Sequence, residues 1–247
     1  MTSLARVPFK SDHLQSMLLD EPAAAGQAIA QASRVLTISA ADSEGHRSSA
    51  RVLVDRLYAD RGYETSSIVA APLERGITLV GTDHDVARGT ITIAFDDSRH
   101  LLADECFSDV LADLRHEGAV LCEFVKLAID GVGRSRRVLA SLFHTAFIYA
   151  REIKGCDRVV VEVNPRHVSF YKRMLGFSAL TGERPNPRVN APAVLLSLDL
   201  SYAERRIRNV QGAAREGLGV DRSLYRDCFS HDEAAVIVRR LRDRTPG

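Results

Sequence analysis

The segment Val159–Phe177, VVVEVNPRHVSFYKRMLGF, constrains the fold more than any other part of the chain. Its β-branched residues Val159, Val160, Val161 and Val163 crowd a helix but suit a buried strand. Pro165 ends the ladder, because a proline nitrogen carries no hydrogen to donate. Phe170, Tyr171, Met174 and Leu175 then recur at helical spacing, and Gly176-Phe177 supplies the stop. The pattern predicts a strand that ends at Asn164 and a short helix that sets Tyr171 one step away from it.

The 247 residues, 45% of them hydrophobic, suffice for one large domain or for a domain with an appendage. The formal net charge is +1, from 33 basic and 32 acidic residues, so bulk attraction to nucleic acid or to an anionic membrane is excluded. Any anion site must be a local cluster. Cys106, Cys122, Cys156 and Cys228 are scattered, with neither a C-x-x-C pair nor a His at metal spacing, which predicts no metal centre and four reduced thiols. The stretch MTSLARVPFKSDH lacks an apolar core of signal-peptide length, and no apolar run is long enough to span a bilayer. A soluble cytoplasmic protein is expected.

Periodicity divides the chain further. Residues 11–34 read as helical, Val35–Ser39 as a strand and Ala50–Gly62 as a helix. Ile77–Gly81 and Thr90–Phe95 read as a strand pair. Phe107, Val110, Leu111 and Leu114 mark a helix over 104–117. Leu121–Ile129 is the next strand, followed by a long helix from Ser135 to Ile153 and, after the Val159–Phe177 unit, a strand over Val194–Leu200. This alternation predicts an α/β layered architecture. After Leu200 the composition turns charged and helical, and Ser230-His231-Asp232-Glu233 has the form of a capping box. Residues 1–34 are therefore expected to form an N-terminal helical segment, 35–200 the core, and 201–247 a helical appendage docked on that core.

Two places carry unusual chemistry. In Gly131-Val132-Gly133-Arg134-Ser135-Arg136-Arg137, two glycines permit close backbone approach, and a helix N-terminus then presents unpaired N–H groups. Three arginines there oppose the helix dipole, which favours carboxylates at that end, so either a bound anion compensates them or they are solvated. In the preceding strand, Glu123 sits within a strongly apolar run, where a carboxylate is costly unless it is paired, hydrated or functional. Burial would raise its pKa toward the range of a working general base. Strict alternation would put Glu123 and Lys126 on opposite faces, so they can share a site only across a β-bulge.

Asn164 followed by Phe170-Tyr171 and Gly176-Phe177 resembles the acetyltransferase core of the GNAT superfamily. Glu123-x-x-Lys126 resembles the Glu-x-x-Arg of acyl-homoserine lactone synthases. Val54–Tyr58 with Gly62-Tyr63, Glu123–Ala128, Asn164–Tyr171, Arg173–Phe177 and Ser223–Tyr225 with Phe229-Ser230 together are similar to the long-chain N-acyl amino acid synthases of the FeeM type. The resemblance implies a GNAT-like α/β fold with a mixed, mostly antiparallel sheet, a splayed strand pair and flanking helices. It also implies an acyltransferase that moves a fatty acyl chain from an acyl carrier protein thioester to the α-amine of an amino acid, without a tightly bound cofactor. Glu123 would act as base, with His167 as an alternative, and Tyr171 would donate to the leaving thiolate. Backbone N–H groups of the splayed strand would hold the oxyanion. Gly131, Gly133, Arg134, Arg136, Arg137 and Asn164 would bind the donor, and Arg56 or Lys126 the acceptor carboxylate. Leu121, Val125, Phe143, Phe147 and Phe170 would wall an apolar cavity near Leu127 and Val163, deep enough for about a dozen carbons or more. The acetyltransferase loop carries Gln or Arg where this chain has Ala128, which favours a carrier-protein donor over coenzyme A. The alternatives are an acetyl-CoA-dependent N-acetyltransferase, an autoinducer synthase, or a non-catalytic carrier- or partner-binding module on the same fold.

Overall fold

The structure, a computed structural model, describes residues 5–8, 35–41, 44–60, 76–84, 86–97, 100–130, 135–215 and 221–242. The helix expected over 11–34, the segment from 61 to 75 and the loop residues Gly131, Gly133 and Arg134 lie outside the described residues. In chain order the elements are β1 (Ala5–Pro8), β2 (Val35–Ala40), α1 (Glu44–Ala59), β3 (Gly76–Asp83), β4 (Val86–Phe95), α2 (Asp104–His116), β5 (Leu121–Ile129), α3 (Ser135–Ile148), β6 (Arg158–Val163), α4 (Pro165–Leu175), β7 (Ser178–Ala179), β8 (Arg184–Asn186), β9 (Ala191–Asp199), α5 (Leu200–Arg215) and α6 (His231–Arg242). A π-helical turn, Tyr149–Ile153, extends α3, and a 3₁₀ turn, Leu224–Asp227, precedes α6.

The strands form one sheet in the order β1-β2-β3-β4-β5-β6-β9-β7, with β8 paired to β9. Every neighbouring pair is antiparallel except β5 and β6, which run parallel. That parallel pair is short: its register runs from Leu121↔Arg158 only to Glu123↔Val160. Beyond Glu123, β5 stays with β4 and β6 stays with β9, so the two strands diverge and leave a wedge between them.

Each face of the sheet is buried. On one face Leu121, Val160 and Leu195 pack against Phe107, Leu111 and Leu114 of α2. On the other face Cys122, Phe124, Val159, Val161 and Val163 pack against α3 and α4. The approach of α3 to β4 is tight. A Cβ at Gly89 would lie 2.8 Å from both Ile129 Cδ1 and Val138 Cγ1, so a side chain there would force those neighbours to shift. Leu224, Tyr225, Phe229, Ile237 and Leu241, from beyond residue 220, belong to the same core cluster as α3.

The local rules read from the sequence operate here. Asn164 caps α4 by accepting from the Arg166 N–H at 3.3 Å, Pro165 takes the first turn, and Gly176 closes the helix with φ 77°. At α6 the capping box forms in both directions: the Ser230 N–H donates to Glu233 Oε2 at 2.8 Å, and the Glu233 N–H donates to Ser230 Oγ at 3.4 Å.

Candidate active site

The wedge between β5 and β6 opens into a cavity of about 320 Å³. Apolar side chains, among them Val125, Leu127, Ile129, Leu139, Val163 and Phe170, line most of it. Polar groups gather elsewhere on its wall: Glu123, Lys126, Glu162, Asn164, His167, Asn186 and Arg188. This mixture of apolar wall and few convergent polar groups is characteristic of a small-molecule site.

Glu123 comes from β5 at the last point where that strand still pairs with β6. It is fully buried, its Oε2 accepts from the Ala103 N–H at 3.2 Å, and its Oε1 has no partner among the described residues. Burial pushes its pKa up to about 8, the nearby Glu162 carboxylate adds to the rise, and the backbone N–H groups before α2 and Arg188 oppose it. Lys126 lies three positions on and has φ 53°. There Lys126 and Leu127 oppose the single residue Ile91 of β4, the signature of a β-bulge. With that bulge, Glu123 and Lys126 line one cavity.

Tyr171 arrives from the opposite face. Phe143, Phe170 and Phe177 surround its ring at centroid distances of 6.3, 5.7 and 5.4 Å. This burial raises its pKa well above the ordinary tyrosine value, so the phenol stays protonated and has a proton to give. Asn164 and His167 line the same cavity, with Asn164 also serving as the cap of α4.

The other residues singled out in the sequence fall in several places. Val125 and Phe170 line the cavity, whereas Phe143 and Phe147 line a smaller apolar cavity beside it, with Phe124 bordering both. Leu121 lies in the α2 core on the other face of the sheet. Arg56 is not on the cavity wall; it donates to Asp130 at 3.4 Å. Arg136 donates to Asp227 at 2.6 Å and to the carbonyls of Ser223 and Arg222 at 2.6 and 3.1 Å. The Arg136 guanidinium is thus paired with a carboxylate of the same chain. Arg137 is half-buried beside the charges of Glu233 and Asp227.

Two charged residues of the cavity wall escaped the sequence reading. Glu162, on β6, accepts from Asn186 Nδ2 at 3.4 Å and from Arg188. Arg188, in the β8–β9 loop, also donates to the Leu102 carbonyl at 2.6 Å and meets Glu105 at 3.3 Å. Burial raises Glu162 to about 7, and Arg188 is the main force opposing that rise. The only available signal was an acid inside the valine run of β6.

A model of the N-acyl amino acid synthase FeeM family matches residues 49–199. The structure of FeeM, an N-acyl amino acid synthase from uncultured soil microbes, is 29% identical and superposes with a TM-score of 0.64, covering 70% of this chain and 94% of that one. Escherichia coli ElaA shares the fold at 9% identity and a TM-score of 0.50, covering 67% of this chain and 99% of that one. No match is found among curated protein sequences. The splayed sheet is therefore the GNAT-like acyltransferase sheet that the family resemblance implied, and its cavity is the candidate active site of an N-acyltransferase. The chain belongs to the FeeM N-acyl amino acid synthase family.

Proposed function

We propose that the protein transfers a fatty acyl chain from a carrier-protein thioester to the α-amine of an amino acid. The observation that carries this reading is the wedge, because it brings a buried carboxyl with an unpartnered oxygen and a protonated phenol to one mostly apolar cavity from opposite faces of the sheet.

The reaction converts an ammonium and a thioester into an amide, a thiol and a proton. Glu123 takes the first proton and so frees the nitrogen lone pair. Attack on the thioester carbonyl follows. Beyond Glu123 the edge of β5 that faces β6 has no strand partner, and its N–H groups are the donors proposed for the developing oxyanion. Collapse of the adduct breaks the C–S bond. Tyr171 gives its proton to the departing thiolate, and the second proton of the nitrogen restores the phenol. Lys126 is the proposed partner of the acceptor carboxylate, since it lines the cavity and Arg56 does not. Val125, Leu127 and Phe170 would hold the acyl chain, at about 0.8 kcal/mol for each buried methylene. A carrier-bound fatty donor would place the reaction in the cytoplasm.

Mass spectrometry of lipid extracts from a host expressing the protein tests the reading. N-acyl amino acids absent from an empty-vector host are the expected result. Extracts identical to those of the control would contradict it.

A further inference from the structure

The acceptor end of the cavity holds two carboxyl groups. In the parallel register Glu123 is the partner of Val160, and Glu162 lies two residues further along β6, so both acids project from the same face. They stand where the strands begin to part. Glu123 Oε1 lacks a donor although the residue is fully buried, a state that costs free energy until something donates to it. Arg188 and Asn186 each engage one oxygen of Glu162, which leaves each oxygen a second lone pair. A primary ammonium has three N–H groups, enough to satisfy the bare oxygen of Glu123 and a remaining lone pair of Glu162.

We propose that Glu123 and Glu162 together seat the acceptor as its ammonium ion, with Glu162 as a second amine-binding residue that Arg188 and Asn186 hold in place. The inference rests on the amine-acylating reading above and adds the group that holds the amine. Geometry accounts for the choice of ligand: the polar atom left bare at this end, Glu123 Oε1, is an acceptor, and the cavity beside it admits a small molecule. It also accounts for Arg188, which contacts with Glu162, Glu105 and the Leu102 carbonyl fix as a bracket. An acceptor ammonium entering the pair displaces the proton that burial and the neighbouring Glu162 charge keep on Glu123, so binding exchanges one cation for another.

Among the described residues, Arg188 comes from the β8–β9 loop, Glu105 and the Cys106 thiol from α2, Lys126 from further along β5, His167 and Tyr171 from α4, and Tyr58 from α1. Arg188 opposes the raised pKa of both acids, whereas Glu162 raises that of Glu123. Replacing Glu162 by a neutral residue must therefore lower the Glu123 midpoint.

The test uses the full chain labelled with ¹³C at the glutamate δ carbons, with Glu123→Gln and Glu162→Gln to assign the two signals. In the unmutated protein the Glu123 carbon should titrate well above the ordinary range, and n-propylammonium chloride should move that midpoint down, whereas tetramethylammonium, which has no N–H, should not. In Glu162→Gln the Glu123 midpoint should fall. The KM for the acceptor should rise about tenfold or more, the worth of one charge-assisted hydrogen bond. Glu162→Asp should restore much of both effects, which a merely structural role would not require. An unchanged Glu123 midpoint in Glu162→Gln, or carboxyl carbons indifferent to n-propylammonium, overturns the inference. Should Glu162→Gln fail to fold, the n-propylammonium titration of the unmutated protein decides alone. If the carbons respond but no amine is acylated, the carboxylate pair stands and the acyl-transfer reading falls; if amines are acylated while the carbons ignore the ammonium, the reverse holds.

Discussion

At the scale of single residues, burial sets the proton affinity of the groups at the wedge. Glu123 was legible in the sequence because a carboxylate in a strand as apolar as Leu121–Ile129 needs a reason to be there. Glu162 was not, because a single acid near the end of a valine run fits equally well a strand end that meets water, and the partners that make it a buried site, Asn186 and Arg188, come from a part of the chain more than twenty residues away. With Glu123 raised to about 8, acyl transfer should increase with pH until about that value, since only the carboxylate can accept a proton. Glu123→Gln should lower kcat about 10²–10⁴-fold, measured at saturating donor with the fold confirmed by circular dichroism. The same shift has a stability consequence. The folded state binds this proton more tightly than the unfolded chain, so stability is greatest below the unfolded pKa near 4.5 and is lost as pH rises through about 8. Glu123→Gln should flatten that decline in a series of thermal melts, leaving the share due to Glu162. Tyr171→Phe should slow the reaction by a smaller factor than Glu123→Gln, because a thiolate leaves tolerably well without a proton. Rapid-quench comparison of thioester and oxygen-ester donors checks this, with the larger penalty on the oxygen ester.

At the scale of elements, most helices and strands were legible because they obey their own periodicity. Leu121–Ile129 and the helix beginning at Ser135 lie where the pattern placed them, whereas β7 and β8 are too short to leave a pattern. The bulge at Lys126 was inferable only as a condition for Glu123 and Lys126 to meet, and the backbone supplies it. The arginines at the start of α3 show where local logic runs out. Their clash with the helix dipole was readable, but the compensating anion near Arg136 is Asp227, 91 positions away. The segment carrying Asp227 docks through a second buried contact. His144 is fully buried, its Nδ1 accepts from the Phe229 N–H at 3.0 Å, and its ring stacks on Phe229 at 5.2 Å. Burial depresses its pKa to about 3, so the stability it confers is present above the unfolded value near 6.5 and is lost as pH falls toward 3. His144→Leu leaves the Phe229 N–H without an acceptor and should cost about 1–3 kcal/mol. Hydrogen exchange should show amides around Phe229 losing protection before those of β5 and β6. Uniform loss across the chain would mean that the segment has no separate opening.

At the scale of the whole molecule, the function follows from one topological fact. A sheet that is antiparallel throughout would close the gap between β5 and β6; a single parallel pair, held together for three residues and then parted, opens it. Because successive side chains of a strand face opposite ways, the wedge is the one place where residues from both faces can meet a single substrate. Glu123 reaches it from the α2 side and Tyr171 from the α4 side. The existence of the parting could be read from Val159–Phe177 through its family likeness, but the paired register that sets its depth is a non-local property of β4, β5, β6 and β9. Among the described residues no helix is long and apolar enough to cross a membrane. The most direct test of the account is a single reaction with purified components: the protein, a long-chain acyl carrier protein, acyl-CoA of the same chain length and a mixture of amino acids, followed by mass spectrometry from pH 6 to pH 9.5 in steps of about half a unit around the Glu123 midpoint. The account predicts N-acyl amino acids formed from the carrier donor, with the rate rising through about pH 8 in the unmutated protein and losing that inflection in Glu123→Gln. Free fatty acid as the only product, or an amide yield indifferent to Glu123, would contradict it.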